Sequence, residues 1–149
     1  MGFSESIRTV LKLKYATFSG RASRSEFWWF QLFYSLVLMI PGFLVGIAIG
    51  ASFNRQAGPS PLVIAIGVVG GLFMLAMLLP QIALMVRRFH DRNISGWWYL
   101  ALAILGFIPY LGFITGIAIF VISVLRGTEG PNKFGADPLR PDARAAVFA

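Results

Sequence analysis

The sequence predicts an all-α integral membrane protein: a bundle of four transmembrane helices (alternatively three) with an N-terminal interfacial amphipathic helix. Three observations predict it. Hydrophobic residues fill 57% of the 149 positions and charged residues only 13%, against about 25% charged in ordinary soluble domains. Phe27 to Gly50, Leu62 to Val86 and Trp97 to Leu125 contain no Asp, Glu, Lys, Arg or His, and run for 24, 25 and 29 residues. A helix needs about 20 apolar residues to cross a hydrocarbon core, so each stretch meets the length requirement. Finally, the basic residues are sorted: five Lys and Arg precede the first stretch, one (Arg55) follows it, three follow the second and four follow the third.

Residues 1–22 form the first element. Phe3, Ile7, Val10, Leu11 and Phe18 recur at helical spacing while Glu5, Arg8 and Lys12 fall elsewhere. The segment is too polar to cross and reads as a helix lying in the interface, or as an ordinary amphipathic helix packed on protein. Ser19-Gly20 ends it. Ser23-Arg24-Ser25-Glu26 then has the form of a capping box, with the Ser23 hydroxyl on the amide three residues on and Glu26 reaching back. Phe27-Trp28-Trp29-Phe30 is an aromatic belt of the kind found at headgroup level.

The first crossing spans 23–50, with Pro41-Gly42 expected to kink it. Asn54 to Pro61 is a polar turn, and the second crossing spans 62–86, with Pro80-Gln81 near its end. Asp91 to Gly96 is a short turn in which Ser95 is placed to cap the next helix, and Trp97-Trp98-Tyr99 repeats the aromatic belt. The stretch 97–125 is long for one crossing and short for two. Charge decides for a tight hairpin turning near Gly106 to Gly112, because it leaves twelve basic residues inside and one outside, as the positive-inside rule favours. Both termini are then cytoplasmic. Residues 127–138 are dense in Gly and Pro and form no regular element, and 139–149 are expected to be a mobile tail.

Gly20-Arg21-Ala22-Ser23-Arg24-Ser25-Glu26-Phe27-Trp28, then Arg87-Arg88-Phe89-His90-Asp91, then Ser95-Gly96-Trp97-Trp98, then the run Gly127 to Pro138 stand in order along the chain. Together they resemble the signature blocks of the bacterial inner-membrane family called domain of unknown function 805, over about 18–138. The resemblance implies a multi-pass protein of the bacterial inner membrane with both ends inside. It brings no catalytic or binding residues with it. Where the family often has Leu before the His-Asp pair, this chain has Phe89.

In the four-crossing arrangement all four blocks fall on the cytoplasmic side. Arg21, Arg24, Glu26, Arg87, Arg88, His90, Asp91, Asn132 and Asp137, with Arg92 and Lys133, are therefore candidates for a surface that binds an anionic headgroup or a partner. The competing reading makes them a positive-inside anchor with caps and internal ion pairs, such as Glu26 or Asp91 with a neighbouring Arg. Within the membrane the notable polar side chains are Gln31 and Gln81, placed to bond each other or freed carbonyls near Pro80. Gly42-Gly46-Gly50, Gly67-Gly71 and Gly112-Gly116 lie four apart, a spacing that suits close helix packing within one chain or between copies.

Several activities lack their residues. His90 is the single histidine and there is no cysteine, so neither a metal site nor a cofactor is expected. The net charge of +7 belongs to connectors beside a membrane and not to a nucleic-acid face. A Ser-His-Asp arrangement demands a buried, separately positioned acid, whereas Asp91 directly follows His90 in a turn. The leading expectation is a non-enzymatic membrane component whose cytoplasmic face binds anionic lipid or a partner, with homo-oligomers allowed. A small oligomeric transporter or channel subunit using Gln31 or Gln81 comes next. A lipid-directed enzyme using Glu26 or His90-Asp91 comes last.

Overall fold

The computed structural model describes residues 1–54, 58 and 60–140. Arg55 in the first turn, and 141–149 of the expected tail, lie outside the described residues. The chain is all-α: α1 (Phe3–Arg8), then a π-helical turn (Thr9–Leu13), α2 (Arg24–Asn54), α3 (Pro61–Asp91), α4 (Gly96–Leu105) and α5 (Leu111–Val124).

The first helical segment stops at Leu13, where the Lys14 amide closes a π turn on the Thr9 carbonyl at 2.8 Å, so it is shorter than the apolar spacing through Phe18 suggested. Ser6, Thr9 and Val10 are buried, while Phe3 and Phe18 stay about 40% exposed. Small side chains face the protein because the segment lies close on α2, where the Ser6 hydroxyl donates to the Glu26 carbonyl at 2.6 Å.

α2 and α3 are 31 residues each and continue without a break past Pro41 and Pro80. At 1.5 Å per residue each is about 46 Å long, more than a hydrocarbon core of about 30 Å requires. Ser60 caps α3, accepting from the Val63 amide at 3.4 Å, and Pro61 occupies the first helical position, where its missing N–H costs nothing. Arg87 to Asp91 belong to α3 itself and not to a connector, so the helix is a turn longer than the uncharged stretch. Ser95 stands at the N-cap of α4, but its side chain makes no capping bond. α4 and α5 have 10 and 14 residues, about 15 Å and 21 Å. The turn between them ends at Tyr110, whose φ is +68°.

The helices form one antiparallel cluster. Ala22 bonds the Arg87 carbonyl, Gln31 bonds Gln81, and Gly96 approaches Val86 so closely that a Cβ there would sit 2.5 Å from a Val86 methyl. These contacts, with the Arg88 bond to the Ser123 carbonyl, bring the start of α2, the end of α3, the start of α4 and the end of α5 to the same end of the molecule. The compact core lies at that end: Val10, Ala22, Phe27, Phe30 and Leu84. Away from it, Met39, Phe43, Leu62 and Val69 are 67–70% exposed, and no residue in the most apolar window of α2 or α3 is buried. Core helices of a soluble protein would hide these faces. Here the hydrocarbon of a bilayer must cover them.

Candidate functional site

The four helix ends are tied together by buried charge. At the end of α3 the Arg88 guanidinium is fully buried, and its Nη1 donates to Asp91 Oδ2 at 2.5 Å. Its remaining donors go to the Ala22 carbonyl at 3.3 Å, the Ser123 carbonyl at 3.0 Å and the Leu125 carbonyl. The last carbonyls of a helix have no partner within it, so Arg88 supplies the C-terminus of α5 with donors and with a positive charge at its negative dipole end. Arg92 adds a further bond to the Arg126 carbonyl.

Asp91 is the hub. Its Oδ1 accepts from Arg21 Nε at 2.9 Å and lies 2.8 Å from Arg21 Nη2, a two-pronged contact. Arg21 also donates to the Thr128 and Gly130 carbonyls at 2.5 and 2.6 Å, while the Asp91 carbonyl accepts from the Thr128 amide at 2.9 Å. Residues 127–130 are thereby strapped over the carboxylate. Gly127 is what allows it: a Cβ there would overlap the carboxylate, whose carbon would be 2.6 Å away.

The second pair is Glu26 with Arg87, 2.5 Å apart and buried. The Ser23 hydroxyl does accept from the Glu26 amide, at 3.2 Å. The Glu26 carboxylate turns to Arg87 instead of reaching back to Ser23, so only half of the expected capping box forms and the other half becomes a tie between α2 and α3. Arg87 keeps two donors, Nε and Nη2, without a partner among the described residues. Removing one member of a buried ion pair costs about 3–5 kcal/mol, because the other is left charged and dry.

The segment after α5 folds over His90. Its ring stacks on Phe134 at 3.8 Å with 4° between planes, and Nδ1 lies 3.2 Å from the Gly20 carbonyl, an acceptor only, which places the proton on Nδ1. Asn132 donates to the His90 carbonyl at 2.9 Å and accepts from the Phe134 amide at 2.9 Å. Lys133 lies over the Phe134 ring. Asp137 accepts from the Leu139 and Gly130 amides at 2.9 and 3.1 Å. Those two bonds, the Leu139 amide foremost, with Arg21 and Arg140 nearby, hold its carboxyl below the usual 3.8 despite opposition from burial.

Of the residues expected to converge, Arg21, Glu26, Arg87, Arg88, His90, Asp91, Asn132 and Asp137 do meet at this end, and they bond to the protein itself. Both Asp91 oxygens are held by arginines, so the carboxylate does not orient His90. Among the described residues no three His, Cys, Asp or Glu side chains group in a way that would hold a metal. Arg24 differs: it is exposed and has no ion-pair partner among the described residues. Beside it, between the start of α2 and 126–140, lies a cavity of about 500 Å³ lined by Arg24, Ser25, Trp28, Val124, Arg126 and Arg140, among others. Arg126 pairs with Glu129 at 3.1 Å, both about two-thirds exposed. Arg126 and Arg140 are not in the signature blocks, and only their places beside the strap bring them to Arg24.

Deeper down, Gln81 donates to Gln31 at 2.9 Å, linking α2 and α3, and its own oxygen has no partner among the described residues. Of the spaced glycines, Gly112 packs within the chain, a Cβ there meeting the Gly106 carbonyl at 2.6 Å. Gly42, Gly46, Gly50, Gly67, Gly71 and Gly116 face open space. Gly42, Gly67 and Gly71 line an apolar cavity of about 700 Å³ between the two long helices.

A family described as protein of unknown function (DUF805) matches residues 15–136. The inner membrane protein YhaI of Escherichia coli (strain K12) is 34% identical over 130 residues, covering 87% of this chain and 92% of that protein. The inner membrane protein YhaH of the same organism is 35% identical over 129 residues, again 87% and 92%. No solved structure matches.

Proposed function

The chain belongs to the DUF805 family of inner-membrane proteins of unknown function, and on that premise we propose that it is a non-enzymatic membrane component whose cytoplasmic face binds anionic lipid headgroups. One observation carries this reading. The buried arginines Arg21, Arg87 and Arg88 are spent on Asp91, Glu26 and backbone carbonyls, whereas Arg24, Arg126 and Arg140 line an open cavity at the level of the aromatic belt. Buried pairs brace the fold, Arg126 is paired with Glu129, and Arg24 and Arg140 are left for something outside it.

The orientation rests on charge. α2 and α3 are the full crossings. The α4–α5 hairpin enters from the same face as the start of α2, dips into the membrane and returns, which leaves twelve of thirteen basic residues inside. The enzyme reading has little support, since His90 and Asp91 are engaged with Gly20, Phe134 and two arginines. The transport reading is weakened by Gln31 and Gln81 bonding each other.

The test is lipid retention by the purified full-length protein, measured by native mass spectrometry after extraction from mixed bilayers. Phosphatidylglycerol should be retained in preference to phosphatidylcholine. Equal retention of the two would overturn the reading, and a co-purifying protein with no lipid preference would point to a partner instead.

A further inference from the structure

We propose that the cavity between the start of α2 and the segment after α5 is a discrete site for one anionic glycerophospholipid, its phosphate held by Arg24 and Arg140 and its acyl chain lying on Trp28 and Val124. The inference rests on the headgroup-binding reading above and assigns it a place and a ligand.

Charge comes first. The carboxylates on the wall are already answered: Asp91 by Arg21 and Arg88, Asp137 by the Gly130 and Leu139 amides, and Glu129 by Arg126. Arg24 and Arg140 make no ion pair among the described residues, and the four arginines of the lining outnumber its three carboxylates, Asp91, Glu129 and Asp137. Guanidinium binds phosphate oxygens with two parallel N–H bonds, a geometry suited to a headgroup diester.

The backbone adds donors of the same sign. In the first turn of α2 the Glu26 amide goes to the Ser23 hydroxyl and the Phe27 amide to the Ser23 carbonyl. The Arg24 and Ser25 amides have no partner within the described residues, and they stand at the positive end of a 31-residue helix on the cavity wall.

The opposite wall selects a lipid over a free phosphate. Trp28 and Val124 line the cavity and remain about 40% exposed, with Trp28 edge-on to Phe120 at 5.9 Å. Phe120 and Val121 are also exposed on α5, so this wall continues into the apolar surface that the bilayer covers. A soluble phosphate would leave the wall wet. A chain descending from a bound headgroup would cover it, and about 500 Å³ is room for a headgroup with the first carbons of its tails.

The experiment uses the full chain in phosphatidylcholine nanodiscs, titrated with phosphatidylglycerol and read by native mass spectrometry. R24Q with R140Q is compared with K12Q plus K14Q, which removes the same charge from the N-terminal segment outside the cavity. The first pair is expected to lose about tenfold or more in affinity, as fits two charge-assisted contacts, and the second less than about twofold. Thermal unfolding of both should match the parent, since none of the four side chains makes an ion pair among the described residues. Equal losses in the two variants would overturn the site and leave general anionic attraction standing. No phosphatidylglycerol preference in the parent would overturn both. Competition by soluble glycerol phosphate at the affinity of the lipid would reassign the site to a free phosphate.

Discussion

The Tyr15 phenol donates to the carbonyl of Ala76, the one carbonyl of α3 that Pro80 leaves without its helical partner. Proline has no N–H, so the oxygen four residues before it is an orphan. Within a bilayer water cannot fill that role. The segment after the π turn therefore anchors on α3 well below the charged end, through a defect that the proline creates.

Tyr15→Phe should lower stability by about 1–2 kcal/mol, the cost of one unsatisfied carbonyl. Pro80→Ala would restore the helical bond, so the same Tyr15→Phe change in that background should be nearly silent. Unfolding of the four proteins in one detergent, arranged as a double-mutant cycle, measures the coupling. Additive effects would show that the phenol contributes by packing alone.

Asp91 serves two buried arginines at once, which sets a ranking among acidic residues. Asp91→Ala leaves Arg21 and Arg88 charged and dry, and should cost about 3–5 kcal/mol. Glu129→Ala breaks an exposed pair and should cost about 0–1 kcal/mol. Thermal unfolding distinguishes the two without ambiguity, and a mild Asp91 variant would mean that the carboxylate is not what holds the helix ends together.

How much of this was legible beforehand depends on the kind of signal. The long uncharged stretches located α2 and α3, because burying charge in hydrocarbon is so costly that its absence is itself informative. The pairing of Gln31 with Gln81 was readable as one of two options, since a polar amide in an apolar helix must find a partner. The convergence of the four blocks followed from topology alone. What was not legible was which charges would be spent inside and which left outside: Arg21 and Arg24 are three residues apart and chemically identical, and only the fold sends one to Asp91 and the other to the rim. Tyr15 gave no sign of its role, although Pro80 declared that Ala76 would need a donor. The apolar spacing of the first segment left open whether its large side chains face hydrocarbon or protein; Phe3 and Phe18 are exposed, and Ser6, Thr9 and Val10 carry the contact with the protein.

Gly127 is required by proximity and not by backbone conformation, since its φ is not in the left-handed region. Gly127→Ala places a methyl on the Asp91 carboxylate, which Arg21 and Arg88 prevent from moving aside. Overpacking of this sort costs about 1–3 kcal/mol. Gly116→Ala, at a position with nothing within 4 Å, should leave the isolated chain as stable as before. A loss of oligomers in the Gly116 variant without a loss of stability would instead show that copies of the chain meet there, a distinction that size-exclusion chromatography with light scattering makes directly.

The hairpin of α4 and α5 decides the topology, and its length argues against a full crossing. From the belt at Trp97 and Trp98 the chain descends 10 residues, about 15 Å, before the turn at 106–110, and a hydrocarbon core is about 30 Å thick. Phe107 and Tyr110, each about 90% exposed, form its tip. An apolar tip suits a hairpin that turns inside the lipid. The natural absence of cysteine makes single-cysteine labelling clean. In intact cells, a cysteine replacing Gly58, in the connection between α2 and α3, should react with a membrane-impermeant maleimide added outside once the outer membrane is permeabilised. A cysteine at Tyr110 should not, and one at Lys133 should react only after the inner membrane is opened. Labelling at Tyr110 with the kinetics of Gly58 would establish four complete crossings and make the short helices evidence of a locally thinned bilayer. Labelling at Lys133 from outside would turn the molecule over and place the cationic cavity in the periplasm.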